Sequence, residues 1–399
     1  MFLAALVLAS AATTLAGPVT TVPWNGYPGA VSFTYDDGRP SQLTNLVPQL
    51  DQLGVKVTFF LAGNLYNFAS NESQWAAQAK KGHELANHTS DHSTPSSTNV
   101  SSMATTLRKL DTSVQAVTLA YPNCTEGGTS YVSAENFMAR GCSSTTYAWA
   151  NEPSDWMNIQ GLIVTNSNIA PVTSNINSAK SGNAWAVIIN HDVTTSNSDI
   201  YYLTPTDNQT MLNNAISAKV WIAPYATVGA YWRAHFTMDK VTASGTTGPW
   251  TLTWTSPHPK MPKSVMLKVK LAASTFGDSI VVTQGGNVIA RNSDNSYTID
   301  FMKLTMTVAK KSATTGLMEN STSPTSIRTS AAGLVLSGLP SGSYTLDLRS
   351  LSGALLSRIS IHSTGAESMT IPFSIHDRCA VAILSREGAK SRIVPVWMH

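Results

Sequence analysis

Two short stretches carry residue types that could do chemistry together. Asp36 and Asp37 stand side by side ahead of Gly38, at the end of the alternating run Val31-Ser32-Phe33-Thr34-Tyr35. The alternation predicts a strand with one buried face. Adjacent carboxylates at its end point in different directions, so one can ligate a cation while the other takes a proton. Alone, Asp-Gly after a strand is an ordinary turn. Further along comes His88-Thr89-Ser90-Asp91-His92. Histidines at i and i+4 lie on one face of a helical turn, close enough to share an ion. With one of the two aspartates they make a two-histidine, one-carboxylate set with open positions, suited to a catalytic Zn²⁺ or a related divalent ion.

The two stretches, in this order, resemble the first motifs of the polysaccharide deacetylases of carbohydrate esterase family 4, the NodB-homology domain. That family's Thr-Phe-Asp-Asp-Gly stands here as Thr34-Tyr35-Asp36-Asp37-Gly38, and its His-Ser/Thr-x-x-His as His88-Thr89-Ser90-Asp91-His92. The resemblance runs from Val31 to Phe236. It implies that Asp37, His88 and His92 hold a divalent metal, Zn²⁺ with Co²⁺ as the alternative, and that Asp36 is the general base. His191, in Ile189-Asn190-His191, matches the Leu-x-His motif and is implied as general acid. A carboxylate partner would keep it charged and oriented. Asp155, in Glu152-Pro153-Ser154-Asp155-Trp156, resembles the family's Asp-x-x-Asp-Trp, with Glu152 at the first acidic position as the other candidate partner. The third motif departs from the family. Arg-x-Pro-Tyr is replaced by Ala120-Tyr121-Pro122-Asn123-Cys124, so the arginine that braces the base is missing. The Asn123 N–H is the implied oxyanion donor, and Tyr121 and Trp156 the groove-lining aromatics.

Asp36, Asp37, His88, Tyr121 and His191 each follow a strand-like segment directly, and helix-like segments separate those strands. Leu43, Leu46, Val47, Leu50 and Leu53 recur at helical spacing, with Pro48 expected to kink or shorten the run and Gly54 to end it. Strands are predicted at Val55–Leu61, Glu84–Ala86, Ala116–Tyr121, Ser143–Tyr147, Trp185–Ile189 and Val220–Ala223. Helices are predicted at Asn71–Lys81, through Met103, Leu107, Leu110 and Val114, at Ser133–Arg140 and at Tyr225–Phe236. Repeated βα units imply a parallel, barrel-like sheet whose active site lies at the C-terminal strand ends. The fold class is therefore α/β, and the resemblance specifies a distorted (β/α) barrel.

Past Lys240 the pattern changes to short alternating strands separated by turns such as Gly285-Gly286-Asn287. Trp250, Leu252 and Trp254 share one strand face, with core as their expected use. The chain divides into a signal peptide (1–16), a deacetylase-like domain (17–239), a small β domain (240–311) and a C-terminal β domain (312–399) with a sorting or display role. Both β domains are expected to be sandwich-like. The apolar run Phe2–Ala12 is too short to span a bilayer, and no later stretch reads as a membrane span.

The chain has 399 residues, 12% charged, and a net charge of +3, too slight a basic balance to imply nucleic acid. Its polar, weakly charged composition suits an exported protein acting on an uncharged partner. Three cysteines, Cys124, Cys142 and Cys379, are too few for a disulfide framework, although Cys124 and Cys142 could pair. The function expected is a secreted, metal-dependent hydrolase that removes acetyl groups from an N- or O-acetylated polysaccharide or oligosaccharide. The competing expectation is a non-catalytic carbohydrate-binding protein that keeps the barrel, which the missing arginine and the accessory β domains would fit.

Overall fold

The computed structural model describes residues 17–195, 199–243 and 248–311, and then 326–330, 333–337, 339, 341–350, 355–365, 369–371, 379–386 and 392–397. The expected signal peptide lies outside them, as do residues 244–247 of Thr242–Pro249, whose Gly, Ser and Thr content reads as a linker, the Ser/Thr/Pro-rich break Ser312–Thr325, and residues 351–353 of Ser350–Gly353, which reads as a hairpin turn. The chain divides into two compact units, Met1–Lys311 and Ser312–His399, and no division falls near Asp239.

The first unit runs β1 (Val19–Thr21), β2 (Ala30–Asp37), α1 (Val47–Leu53), β3 (Thr58–Leu61), α2 (Phe68–Lys80), β4 (Glu84–Asn87), α3 (Ser97–Leu110) and β5 (Thr118–Ala120). It continues with α4 (Thr129–Glu135), β6 (Met138–Gly141), β7 (Thr146–Ala148), β8 (Ile159–Gln160), β9 (Leu162–Ile163), α5 (Ala170–Ser181) and β10 (Ala184–Asn190). After β11 (Asp192–Val193) and β12 (Tyr202–Leu203) come α6 (Pro205–Ala218), β13 (Trp221–Ile222) and α7 (Tyr225–Met238). A π-helical turn, Gln42–Leu46, precedes α1 and leaves Pro48 in the first turn, where a missing N–H costs nothing.

The main sheet has the order β7-β10-β2-β3-β4-β5-β6-β8, with β13 beside β2 and β9 beside β10. Every pairing is parallel except β7 on β10. It curls without closing: among the described residues β7 and β8, its two ends, do not pair with each other. Parallel strands with helices outside are covered on both faces, and β2 is buried at all eight positions rather than on one face. Val31, Phe33 and Tyr35 meet the helices, while Ala30 joins Phe60, Ala86, Met138 and Trp185 in the interior. The polar residues between them are bonded. Thr34 donates to the Ile188 carbonyl at 2.9 Å, and the Trp185 indole donates to Ser32 at 3.1 Å.

One predicted element is corrected. Ser133–Arg140 is not a helix: α4 stops at Glu135, Asn136 donates its side-chain amide to the Val132 carbonyl (3.0 Å), and β6 begins at Met138. All four β6 residues are buried, so neither period is legible in so short a segment.

At the other end of the strands, the Glu84 carboxylate accepts from the Ala226 N–H in the first turn of α7 (2.8 Å), from Thr58 (2.7 Å) and from Thr118. Burial pushes this carboxyl up against the pull of those bonds; its oxygens satisfy a free N–H of the helix N-terminus and tie α7 across β3, β4 and β5. Nearby, His83 is 4% exposed; its Nδ1 accepts from the Val57 N–H (3.2 Å), so the proton sits on Nε2, which has no partner among the described residues. Burial, then Lys56, pushes this imidazole down to about 4 from 6.5. The unfolded chain therefore binds more protons than the folded one between those values, and stability should rise with pH across that window. The difference is about 3 kcal/mol. Urea melts at pH 7 and pH 4.5 should show the fall, and His83→Gln should remove that part of it.

The rest of the first unit is antiparallel: β14 (Trp250–Thr253), β15 (Met266–Leu271), β16 (Ile280–Gln284), β17 (Asn287–Ile289), β18 (Tyr297–Asp300) and β19 (Thr305–Lys310). They form the sheets β1-β15-β18 and β14-β19-β16-β17. The N-terminal β1 thus completes a sheet of residues 240–311. Trp250, Leu252 and Trp254 are buried in the apolar cluster that also holds Trp24, Trp149 and Trp232. One core runs through both segments. The second unit has the strands β20 (Ser326–Ser330), β21 (Gly333–Ser337), β22 (Gly342–Ser350), β23 (Leu355–Ser363), β24 (Met369–Ile371), β25 (Cys379–Arg386) and β26 (Arg392–Trp397). They form the sheets β20-β21-β24 and β23-β22-β25-β26, with Leu334, Leu336, Leu346, Leu348 and Ile361 in its core.

Candidate active site

Parallel register brings the chemical residues to one edge of the curled sheet. Asp36 and Asp37 pair with Phe60 and Leu61, Leu61 with Asn87, and Asn190 with Tyr35. His88 and His191 therefore follow strand ends beside the aspartates. Asp37 itself has left-handed backbone (φ 72°), as does Gly38 (φ 73°), which turns the chain sharply away. A non-glycine residue in that region is strained and is held there by its surroundings.

Asp37, His88 and His92 each offer a ligand atom, all within 4.8 Å of one another. The Asp37 Oδ1 lies 3.4 Å from His88 Nε2 and 3.3 Å from His92 Nε2. His88 Nδ1 lies 2.8 Å from the Ala120 carbonyl and must donate to it, so a neutral ring presents a bare lone pair at Nε2. Two acceptors facing each other at that distance call for a cation between them, and such an outer hydrogen bond is what orients metal-bound histidines. The residues present fit a divalent ion. Burial would raise the Asp37 carboxyl, but with both rings protonated in place of a bound cation their contacts would outweigh it and hold the carboxyl far below the usual range.

The histidine pair is not on a helical turn. Thr89 (φ 63°) and His92 (φ 53°) are left-handed, and the stretch from His88 to Pro95 is a bent loop. Side chains replace the helical hydrogen bonds. Asp91 Oδ1 accepts from Asn99 (3.0 Å), the Ser93 N–H (3.2 Å) and Thr89 (3.3 Å), while Asn64 donates to the Asp91 carbonyl (2.9 Å).

Asp36 is held by a residue the sequence reading missed. Arg140, on β6, donates NH1 to Asp36 Oδ1 (2.9 Å) and NH2 to Asp36 Oδ2 (2.5 Å), and NH1 also reaches Thr34 Oγ1 (2.8 Å). Its guanidinium carbon lies 4.9 Å from the Phe60 ring centroid. The bidentate fork fixes the carboxylate plane. Burial pushes Asp36 up, Arg140 more than offsets it with help from His88 and His191, and the carboxyl stays below its ordinary range. The arginine absent from the third motif has a counterpart on the next strand.

His191 Nε2 is 3.9 Å from Asp36 Oδ2, and its Nδ1 is buried with no hydrogen-bond partner among the described residues. Burial outweighs Asp36 and Asp37 and holds its pKa below the histidine norm. That corrects the expectation of an imidazole charged at rest. Asp155 is exposed, its carboxylate accepting from the Met157 N–H (2.7 Å), and the carboxylates acting on His191 are Asp36 and Asp37. Glu152 is exposed and faces Lys240 at 4.0 Å. Asn123 is exposed with left-handed backbone (φ 52°). Tyr121 is 1% exposed and packs with Leu119, Val132 and Ala139. Trp156 is half-buried against Trp232 at 5.1 Å and the Arg233 guanidinium at 5.0 Å. A Cys124–Cys142 disulfide (Cα–Cα 5.5 Å) joins the Asn123 loop to the end of β6, two residues beyond Arg140.

Comparison with known proteins gives a concordant result. Residues 25–126 match the model of the family described as "Polysaccharide deacetylase". The chain is 30% identical over 111 residues to an Arthroderma benhamiae protein described as "Probable peptidoglycan-N-acetylglucosamine deacetylase", covering 26% of this chain and 25% of that protein. The match thus spans about a quarter of that relative's length. Among solved structures, a carbohydrate-esterase domain of a multidomain xylanase from a Trinervitermes trinervoides hindgut metagenome is 19% identical. It has a TM-score of 0.33, over 50% of this chain and 89% of that one. A family 4 acetyl xylan esterase from Clostridium thermocellum, in complex with a cobalt ion, is 19% identical with a TM-score of 0.36, also over 50% and 89%.

Proposed function

We propose that this chain, whose residues 25–126 match the polysaccharide deacetylase family, is an exported hydrolase that removes acetyl groups from neutral glycans with a divalent metal. The observation that carries the reading is one cluster: Asp37 Oδ1 facing two histidine Nε2 atoms, with the Arg140-braced Asp36 next in sequence and 3.9 Å from His191. A sugar-binding surface needs no such set.

Asp37, His88 and His92 would hold the ion, Zn²⁺ or Co²⁺ by the chemistry of two imidazoles and one carboxylate. When bound, such an ion supplies Lewis acidity that acidifies water and polarises an acyl carbonyl. Asp36 is ionised across the neutral range and accepts the proton of the attacking water. His191 enters neutral, receives that proton at Nε2 from Asp36 Oδ2, and delivers it to the departing amine nitrogen or alkoxide oxygen. The new acyl–OH bond forms as the carbonyl π pair moves onto its oxygen; that pair returns as the acyl–N or acyl–O bond breaks, and Asp36 and His191 return to their starting state. The Asn123 N–H is the proposed donor to the developing oxyanion. Export is part of the proposal. The Cys124–Cys142 bridge supports it, since disulfides persist in oxidising compartments.

The test is acetate release from acetylxylan and from N-acetylglucosamine oligomers, side by side, by Zn²⁺- or Co²⁺-loaded protein. An amine must be protonated to leave, whereas an alkoxide leaves more readily. His191→Ala should therefore reduce amide hydrolysis by about 10²–10⁴-fold and ester hydrolysis by less. Equal collapse on both substrates would refute the leaving-group argument. Release from neither by the loaded wild type would favour a protein that only binds sugar.

A further inference from the structure

Gly38 is followed by Arg39, a residue with no place in the chemistry above. Its side chain is 10% exposed. Nε donates to Asp37 Oδ2 at 3.1 Å, and NH1 donates to Asp192 Oδ2 and Asp199 Oδ2, each at 3.1 Å. The guanidinium carbon lies 5.4 Å from the Tyr66 ring centroid. Three carboxylates from separate stretches of chain thus converge on one fixed positive charge. Asp192 directly follows His191 and also accepts from Ser41, which in turn accepts from the Val193 N–H (3.0 Å).

The two oxygens of Asp37 are divided between two tasks. Oδ1 faces the two histidines, and Oδ2 is held by Arg39. A carboxylate so held can offer a cation only one oxygen. The other two aspartates share this guanidinium with Asp37, and the Oδ2 atom of each is turned to it. Two imidazole nitrogens and one oxygen suit borderline cations such as Zn²⁺ and Co²⁺, whereas sites rich in carboxylate oxygen suit Mn²⁺, Ca²⁺ and Mg²⁺.

We propose that Arg39 is a positioning residue that sets the cation selectivity of the site. It restricts Asp37 to one ligating oxygen and keeps Asp192 and Asp199 out of the coordination shell. This rests on the metal-site reading of Asp37, His88 and His92. Removing the Arg39 charge would strengthen the attraction of every divalent ion alike, so single affinities do not isolate the effect. The ratio of affinities does.

The experiment is competitive calorimetry of Zn²⁺ and Mn²⁺ on the full chain, comparing wild type, Arg39→Met and Arg39→Lys, with the visible spectrum of the Co²⁺ form alongside. In Arg39→Met the Zn²⁺:Mn²⁺ affinity ratio should fall at least about 10-fold, the scale on which outer residues tune metal sites. The Co²⁺ bands should weaken as oxygens enter the shell. Arg39→Lys keeps the charge without the fork, so its ratio should lie between the two. An unchanged ratio in Arg39→Met, or a lysine variant identical to the methionine one, would overturn the proposal. Should Arg39→Met fail to fold, Asp192→Asn and Asp199→Asn each leave Arg39 holding Asp37. Their ratios should stay within about twofold of wild type, well short of the tenfold tuning scale, and a larger change would overturn it. Wild type that bound no Zn²⁺ would sink the metal-site reading itself, whereas normal Zn²⁺ binding with an unaltered variant ratio would sink only the role of Arg39.

Discussion

Arg140→Met should destabilise the first unit by about 3–5 kcal/mol, because it strands one half of a buried ion pair. The side chains of Arg140 and Asp36 are 1% and 4% exposed. Activity should fall for a separate reason. With Arg140 gone, burial is the main influence left on Asp36, and it pushes the carboxyl up instead of being overridden. The pKa of the base would therefore rise, and the acid limb of the rate profile would move to higher pH. Urea melts and a pH profile of kcat read the two effects separately. Arg140→Lys should recover part of the charge and little of the geometry, since one ammonium cannot make two parallel bonds to a carboxylate. The double variant Arg140→Met with Asp36→Leu should melt later than Arg140→Met alone, because it removes the orphaned charge, and should be inactive. Should Arg140→Met melt within about 1 kcal/mol of wild type, the range of exposed ion pairs, the buried pair would not matter as argued.

The other large effect separates the cation from the base. Asp36→Asn should keep the bound ion and lose about 10²–10⁴ in kcat, the usual weight of a positioned general base. It leaves Arg140 without its counter-charge, so rates should be measured well below the melting temperature and normalised to folded protein. His88→Ala should instead lose the ion, because it removes one of three ligands and the contact with the Ala120 carbonyl. Chelation of the wild type should abolish turnover, and Zn²⁺ or Co²⁺ should restore it. Near-normal kcat in Asp36→Asn would show that another group takes the proton, and undiminished turnover after exhaustive chelation would end the metal-dependent reading.

What could be read from sequence and what could not follows the range of the interactions. Asp36-Asp37-Gly38 and the His88–His92 pair are local patterns with a local chemical meaning, and the strands leading to them are apolar runs. Arg140 was hidden because its partner lies 104 positions away and because β6 adjoins α4. A helix and a four-residue buried strand joined end to end show neither period. The histidine spacing suggested a helical turn, yet Asp91 and Thr89 supply side-chain bonds that stabilise a loop equally well. The helices α5 and α6 carry apolar residues on one narrow side, Val172 and Ile176 in one and Met211 and Ala215 in the other, amid serine and asparagine. Their burial is set by each other and by the sheet. The strands of residues 240–311 were legible as strands, but a core shared with Trp24 and Trp232 is a tertiary fact.

The pairing of β1 with β15 bears on how the chain is made. Thr20 finds its partner at Lys270. At roughly 5–20 residues per second, a ribosome takes about 12 to 50 s to supply the intervening chain. Throughout that interval β1 has no strand to join, and Val19 and Trp24, buried in the finished unit, lack the part of their cluster contributed by residues 250–308. An unpaired strand is a template for pairing with other chains. Here it is only three residues long and two of them are threonine, which limits how firmly it can capture a stranger. A nascent chain stopped before Met266 would carry the histidine pair, Arg140 and His191 but not the strand that β1 requires. Such chains should associate through their N-terminal segments only weakly, and more than full-length chains do.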